Sequence, residues 1–231
     1  MAAALPYILR GADDRPRQTE HLEATRLKSI IAALIVAAFL ASGVQAAPAP
    51  GSAQAAVDDL QSGMLAILKK TSGQPFEKRV EALCPLLDSK MDVKLQGAMA
   101  VGRSVWNSWT EAQRDTYVDS FRQYLCAIYA SRFRSFTGET LVVIGDRPGP
   151  SGATVVNSEV RIPKEESIAI DYVMHKTGDT WKVGDLYLGG RISEVALRRS
   201  EFANLLRTQG FDALIAAIAA KTAAQANQPA Y

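Results

Sequence analysis

Apolar positions recur every three to four residues through the first half of this chain, every second residue in the middle, and at helical spacing again near the end. Val57, Leu60, Met64, Ile67 and Leu68 predict a first helix, stopped at Ser72-Gly73. Pro75-Phe76 opens a second that runs through Leu83 to Leu87, with Pro85 placed to break or kink it. Asp92 to Val101 reads as a short helix ended by Gly102, and Val105, Trp106 and Trp109 make a bulky apolar knot. Thr110 caps a long helix, with Gln113 at the third position of a capping box. Tyr117, Phe121, Tyr124, Leu125, Ile128, Tyr129 and Phe133 give that helix a broad aromatic face, and Gly138 ends it.

The period then changes. Glu139 to Ile144 is rich in strand formers, and the six residues from Gly145 to Pro150 read as a turn or loop. From Ala153 to Ile162, Thr154, Val156, Ser158, Val160 and Ile162 share one face and Asn157, Glu159 and Arg161 the other. Ser167 to Lys176 alternates as well, aligning Ile168, Ile170, Tyr172 and Met174, and Thr177-Gly178-Asp179 is a short hairpin turn. Trp181 to Leu188 is the last strand, which makes a meander of about four antiparallel strands. After Gly189-Gly190 a helix is predicted over Ile192 to Thr208, with Ile192, Val195, Ala196, Arg199, Phe202 and Leu206 on one side. Gly210 interrupts it, and Phe211, Leu214, Ile215 and Ile218 form a last amphipathic helix. Helices, then consecutive strands, then helices argue an α+β domain with helices packed on one face of the sheet.

One apolar run precedes all of this. Ile30 to Leu40 follows Arg26 and Lys28 and leads into Ala41, Ser42, Gly43 and Val44-Gln45-Ala46. A basic flank, an apolar core and a small-residue cleavage site, in that order, make a secretory signal. The core has 11 residues, whereas a membrane-spanning helix needs about 20. Export and cleavage near residue 46 are therefore expected, with an uncleaved helix as the alternative. The boundaries are a signal at 1–46, an Ala- and Pro-rich leader at 47–56, one domain at 57–220 and a polar tail at 221–231.

The whole chain carries a net charge of +2; five basic and four acidic residues fall in the first 46, leaving 21 and 20. Neither a basic stripe for nucleic acid nor a polybasic cluster for anionic lipid is present. Any role in lipid handling must come from a pocket. Cys84 and Cys126 both fall in predicted helices. An exported chain permits a disulfide between them, and two buried free thiols fit the same pattern.

The motifs of enzyme chemistry are missing: no phosphate loop, no dinucleotide fingerprint, no nucleophile elbow and no metal-ligand spacing. His175, the only histidine after the leader, lies on the face opposite Tyr172 and Met174 and reads as solvated. Asp88 and Asp92, four apart, read as capping or solvent-facing carboxylates. The sequence thus predicts a non-enzyme without cofactor or metal. Arg199 stands out in an otherwise apolar stripe. Three placements fit it: a pair with Asp185, a path to the surface past Val195 and Phe202, or a lipid head group at a pocket mouth.

The run from Trp181 to Ser193, with Trp181, Val183, Asp185, Gly189-Gly190 and Ile192-Ser193, resembles the MlaC/Ttg2D family of periplasmic lipid carriers. Arg199-Ser200-Glu201-Phe202, Leu205, Gly210-Phe211-Asp212 and Leu214 continue the resemblance. Leu87-Asp88, Met91, Gly102, Trp106, Gln113-Arg114, Phe121 and Tyr129 fit its helical half more loosely. Gly184, where a bulkier residue is usual, and the two cysteines depart from the pattern. The segments Tyr129 to Phe133, Ser135 to Glu139 and Ala196 to Phe202 look most like the hopanoid-associated HpnM branch.

The resemblance implies an NTF2-like sheet, an apolar pocket between sheet and helices, and a shuttle for hopanoid or phospholipid. It also implies docking on an inner-membrane transporter of RND or ABC type and delivery to an outer-membrane acceptor. From period and apolarity, the candidate lining is Tyr117, Phe121, Leu125, Ile128, Val156, Val160, Ile170, Tyr172, Trp181, Val183, Ile192, Val195 and Phe202, with Arg199 at the mouth. Three functions follow: a hopanoid carrier, a general phospholipid carrier, or a ligand-free periplasmic adaptor with a filled core. A pocket well above about 300 Å³ is the mark of a carrier.

Overall fold

The computed structural model describes residues 48–227; the expected export signal lies outside the described residues. Five helices come first: α1 (Ala53–Thr71), α2 (Phe76–Lys90), α3 (Val93–Val101), α4 (Arg103–Ser108) and α5 (Glu111–Arg132). Strands β1 (Thr140–Pro148), β2 (Thr154–Arg161), β3 (Ile168–Thr177), β4 (Thr180–Leu188) and β5 (Ile192–Ser193) follow, and α6 (Glu194–Ala224) closes the domain. The strands form one antiparallel sheet in sequential order. The architecture is α+β, as the change of period indicates, with five strands instead of four.

The differences have local causes. Strand β5 pairs only Ser193 with Tyr187 and Ile192 with Leu188, too short to leave a periodic trace. It takes Ile192 out of the predicted helix, which starts at Glu194 with Ser193 Oγ accepting from the Ala196 amide at 2.9 Å. Strand β1 runs past Ile144 because a bulge between Val143 and Gly145 resets its register against β2. Helix α1 begins at Ala53, inside the expected leader, because Ser52 caps it through the Ala55 amide. At the other end α6 extends to Ala224, into the expected tail. Pro85 sits inside α2, which nonetheless continues to Lys90. Thr110 and Gln113 form the reciprocal capping box at the start of α5.

Two apolar clusters hold the domain. The first joins Val57, Leu60 and Met64 of α1, Leu87 of α2 and Cys126 of α5 to Val143, Val156, Tyr172, Met174, Val183 and Leu186 on the sheet. The second joins Ala100 and Val101 of α3, Trp109, Tyr117, Phe121, Tyr124 and Ile128 of α5's flank and body, and Phe202, Leu214 and Ile218 of α6. Its rings pack edge to face, Trp109 against Tyr117 and Phe211 with centroids 5.0 Å apart. Helix α5 belongs to both clusters. A disulfide between Cys84 and Cys126 ties it to α2.

The corner between α2 and α3 is fixed to β4. The Asp92 amide donates to the Val183 carbonyl at 3.0 Å, and its carboxylate caps α3 through the Leu95 amide. His175 meets the same carboxylate at 3.0 Å and is half-buried, so it is a partner of the cap and not the solvated histidine expected. Asp88 pairs with Arg122 of α5.

Candidate functional site

A cavity opens where the two clusters meet. Phe121, Leu125, Ile128 and Tyr129 of α5 form one wall, Asp185 and Leu186 of β4 the second, and Glu194, Val195 and Arg198 of α6 the third, with Gln96 of α3 at the end. Its volume is about 20 Å³, room for about one water. It lies between sheet and helices as expected, but is far below the expected size, because the side chains of the two clusters nearly close on one another.

The strand wall depends on a bulge. Met174 pairs with Val183 and Val173 with Asp185, which leaves Gly184 without a partner. The extra residue shifts the alternation by one, so Val183 and Leu186 both enter the first cluster and Asp185 is turned to the start of α6. A Cβ on Gly184 would stand 2.8 Å from His175 Nδ1. Gly184 thus makes room for the histidine.

Asp185 anchors α6. Its Oδ1 accepts from the Leu186 amide at 2.8 Å and the Val195 amide at 3.1 Å, and its Oδ2 from the Ser193 hydroxyl at 2.6 Å. Burial pushes this carboxyl up from its ordinary value, and the three hydrogen bonds offset only part of that. Protonated Asp185 therefore favours folding, fully so below the ordinary aspartate value of 3.8, and that contribution is lost as pH rises through the raised folded value. An asparagine keeps Oδ1 for both amides without the buried charge. We expect Asp185→Asn to change stability by less than about 1 kcal/mol at pH 7, and Asp185→Ala to cost about 2–3 kcal/mol by orphaning the amides. Urea unfolding of the two variants side by side checks this; equal losses would contradict it.

The arginine in the stripe is Arg198, not Arg199. Arg198 is 5% exposed, donates to Glu194 Oε2 at 2.9 Å, and lies with its guanidinium 5.3 Å from the Tyr124 ring centre. Arg132 of α5 holds the other Glu194 oxygen at 3.0 Å. Arg199 is exposed and lies against Gly102; of its three sequence placements the structure shows the surface one, and Asp185 takes other partners. Ahead of Gly210 the buried stripe of α6 is Val195, Arg198 and Phe202, and after it Leu214 and Ile218.

Of the expected lining, the structure brings Phe121, Leu125, Ile128 and Val195 together around the cavity. Tyr117 and Phe202 are packed in the second cluster. Val156, Tyr172 and Val183 are packed in the first, with Ile170 and Trp181 at its margin. Val160 is half-buried on β2, and Ile192 is 58% exposed because β5 turns it outward. Gln96, Tyr129, Asp185, Leu186, Glu194 and Arg198 complete the cavity without having been in the expected lining. Tyr129 was within reach of sequence reasoning, four residues after Leu125 on the same helix face. Glu194 and Arg198 were not, because their placement depends on where α6 starts.

The arrangement is an α+β domain with a small polar-rimmed cavity between sheet and helices. Residues 58–220 match the family model described as MlaC protein, and the chain belongs to the MlaC family. A phospholipid-binding protein from Ralstonia solanacearum, solved in complex with a phospholipid, has a similar fold, with a TM-score of 0.67 and 24% identity. The match covers 76% of this chain and 99% of that one. Among the described residues, no helix is long and apolar enough to cross a membrane.

Proposed function

We propose that this protein is a periplasmic lipid carrier, not an enzyme, and that its cargo is a hopanoid. The observation that carries the reading is the match of residues 58–220 to the MlaC family; the seam, where Phe121, Leu125, Ile128, Leu186 and Val195 offer apolar walls and Asp185, Glu194 and Arg198 a polar rim, is where lipid would enter. Family membership, and a relative of the same fold that was solved with a phospholipid, support carriage. The export signal in the sequence and the disulfide, a bond of oxidising compartments, support the periplasm. The hopanoid assignment rests on the resemblance of Tyr129 to Phe133, Ser135 to Glu139 and Ala196 to Phe202 to the HpnM branch, and a phospholipid is the competing cargo.

At about 20 Å³ the cavity has no room for a lipid, so carriage requires the seam to part. The first stretch of α6 is the element placed to move. It follows the Gly189-Gly190 turn and ends at Gly210, whose φ of +83° interrupts the helix. Lipid between α5 and β4 would replace contact between the clusters, each buried methylene contributing about 0.8 kcal/mol. Release into water reverses that gain, so delivery needs docking on a membrane complex, an inner-membrane transporter of RND or ABC type at one end and an outer-membrane acceptor at the other.

The small volume also favours a second reading, an adaptor with a filled core and no cargo. Transfer of labelled lipid between two vesicle populations separates them. A carrier speeds transfer in proportion to its concentration, with a hopanoid moved faster than phosphatidylethanolamine. An adaptor leaves the spontaneous rate unchanged.

A further inference from the structure

Arg198 keeps one hydrogen-bond donor in reserve. Its side chain is 6% exposed and lines the cavity. Nη2 donates to Glu194 Oε2 at 2.9 Å, Nη1 lies 3.7 Å from Glu201 Oε1, and the guanidinium rests over the Tyr124 ring. Nε is buried and has no hydrogen-bond partner. A buried donor left unpaired is rare and costly, most of all on a charged group. The carboxylates of the lining are already engaged. Glu194 gives one oxygen to Arg132 and the other to Arg198, and Asp185 takes two amides and the Ser193 hydroxyl. The cavity has room for about one water, and a lipid that fills the seam takes that room. Arg198 and Val195 stand on the stretch of α6 placed to move, so both border whatever enters.

Building on the carrier reading, we propose that Arg198 is the polar anchor of the cargo, its Nε–H donating to a neutral oxygen of the lipid held in the seam. The rim sets the class. Arg132 and Arg198 share Glu194, and Asp185 and Glu201 add two more carboxyl groups, so the rim carries no excess of positive charge to draw in a phosphate. A phosphate beside Glu194 would meet like charge. A neutral acceptor oxygen meets none. On a hopanoid that oxygen is a hydroxyl, and on a phospholipid it is an ester carbonyl. A bare hydrocarbon at this point would leave the N–H unpaired. A site built to hydrogen-bond a ligand oxygen discriminates against analogues that lack it more sharply than an apolar pocket discriminates by shape.

The test offers the exported, disulfide-bonded protein vesicles that carry one of two lipid pairs in equal amounts. The pairs are hopan-22-ol with hopane, and dipalmitoyl- with dihexadecyl-phosphatidylcholine, whose members differ only in the oxygens in question. Lipids bound to the repurified protein are counted by mass spectrometry. The wild type should take up the oxygen-bearing member of one pair in about tenfold excess, and the pair that shows it tells a hydroxyl from a carbonyl. Arg198→Lys keeps a cation beside Glu194 but has no Nε donor of this geometry, so its excess should fall about tenfold. Arg132 and Lys221 still face Glu194 and Glu201 in that variant, and circular dichroism checks its fold. Arg198→Met, with no donor at all, should give the same result. A wild-type ratio near one in both pairs would overturn the anchor and leave the carrier reading standing. A preference that survives both substitutions would also overturn it. If no lipid of either pair is found on the wild type, the carrier reading falls and the anchor with it.

Discussion

Val195→Arg should lower lipid occupancy about a hundredfold while leaving the domain folded. Val195 is 8% exposed, and its side chain is one of three on α6 that border the cavity. An arginine there fills the seam and excludes about four methylenes of a lipid chain, about 3 kcal/mol or two decades of affinity. The fold tolerates it because the anchor to Asp185 uses the Val195 amide and not its side chain. Overpacking should cost about 1–3 kcal/mol. Val195→Ala, which enlarges the cavity, should keep binding. Lipid titration with circular dichroism reads both variants; unchanged affinity in Val195→Arg would remove α6 from the lipid path.

Replacing Cys84 and Cys126 together by alanine should cost about 4 kcal/mol, the loop-closure entropy of a cross-link across a separation of 42 residues. The bond joins α2, which packs in the first cluster, to α5, which spans both. Its loss should therefore loosen the wall that carries Phe121, Leu125 and Tyr129. Urea unfolding of the double variant, and of the wild type with and without dithiothreitol, reads the difference. A loss below about 1 kcal/mol would mean that apolar contact alone holds the two helices together.

What the sequence made legible is what periodicity encodes. The aromatic stripe of α5, the Thr110–Gln113 box and the alternation on β2 and β3 each follow from local spacing, and together they indicate the α+β order. Strand β5 was invisible because its two residues are strand only by pairing with Tyr187 and Leu188. That short pairing has a large consequence. It moves the start of α6 to Glu194, and each residue of helix turns the side chains by about 100°. Arg198 is thereby buried and Arg199 exposed. The bulge at Gly184 works in the same way on β4, bringing Leu186 into the core with Val183 and turning Asp185 to α6. The expected lining was too broad for a related reason. Burial patterns mark which residues face inward, and Tyr117, Val156 and Phe202 do, but only packing decides which of them border a void.

The central claim is that the seam between the two clusters takes up lipid. Native mass spectrometry of the exported protein, after incubation with vesicles containing both phospholipid and hopanoid, tests it most directly. The account predicts the mass of the chain plus one lipid, a hopanoid in preference to a phospholipid, with the adduct lost in Val195→Arg and kept in Val195→Ala. The bare chain mass in the wild type under the same conditions would contradict it.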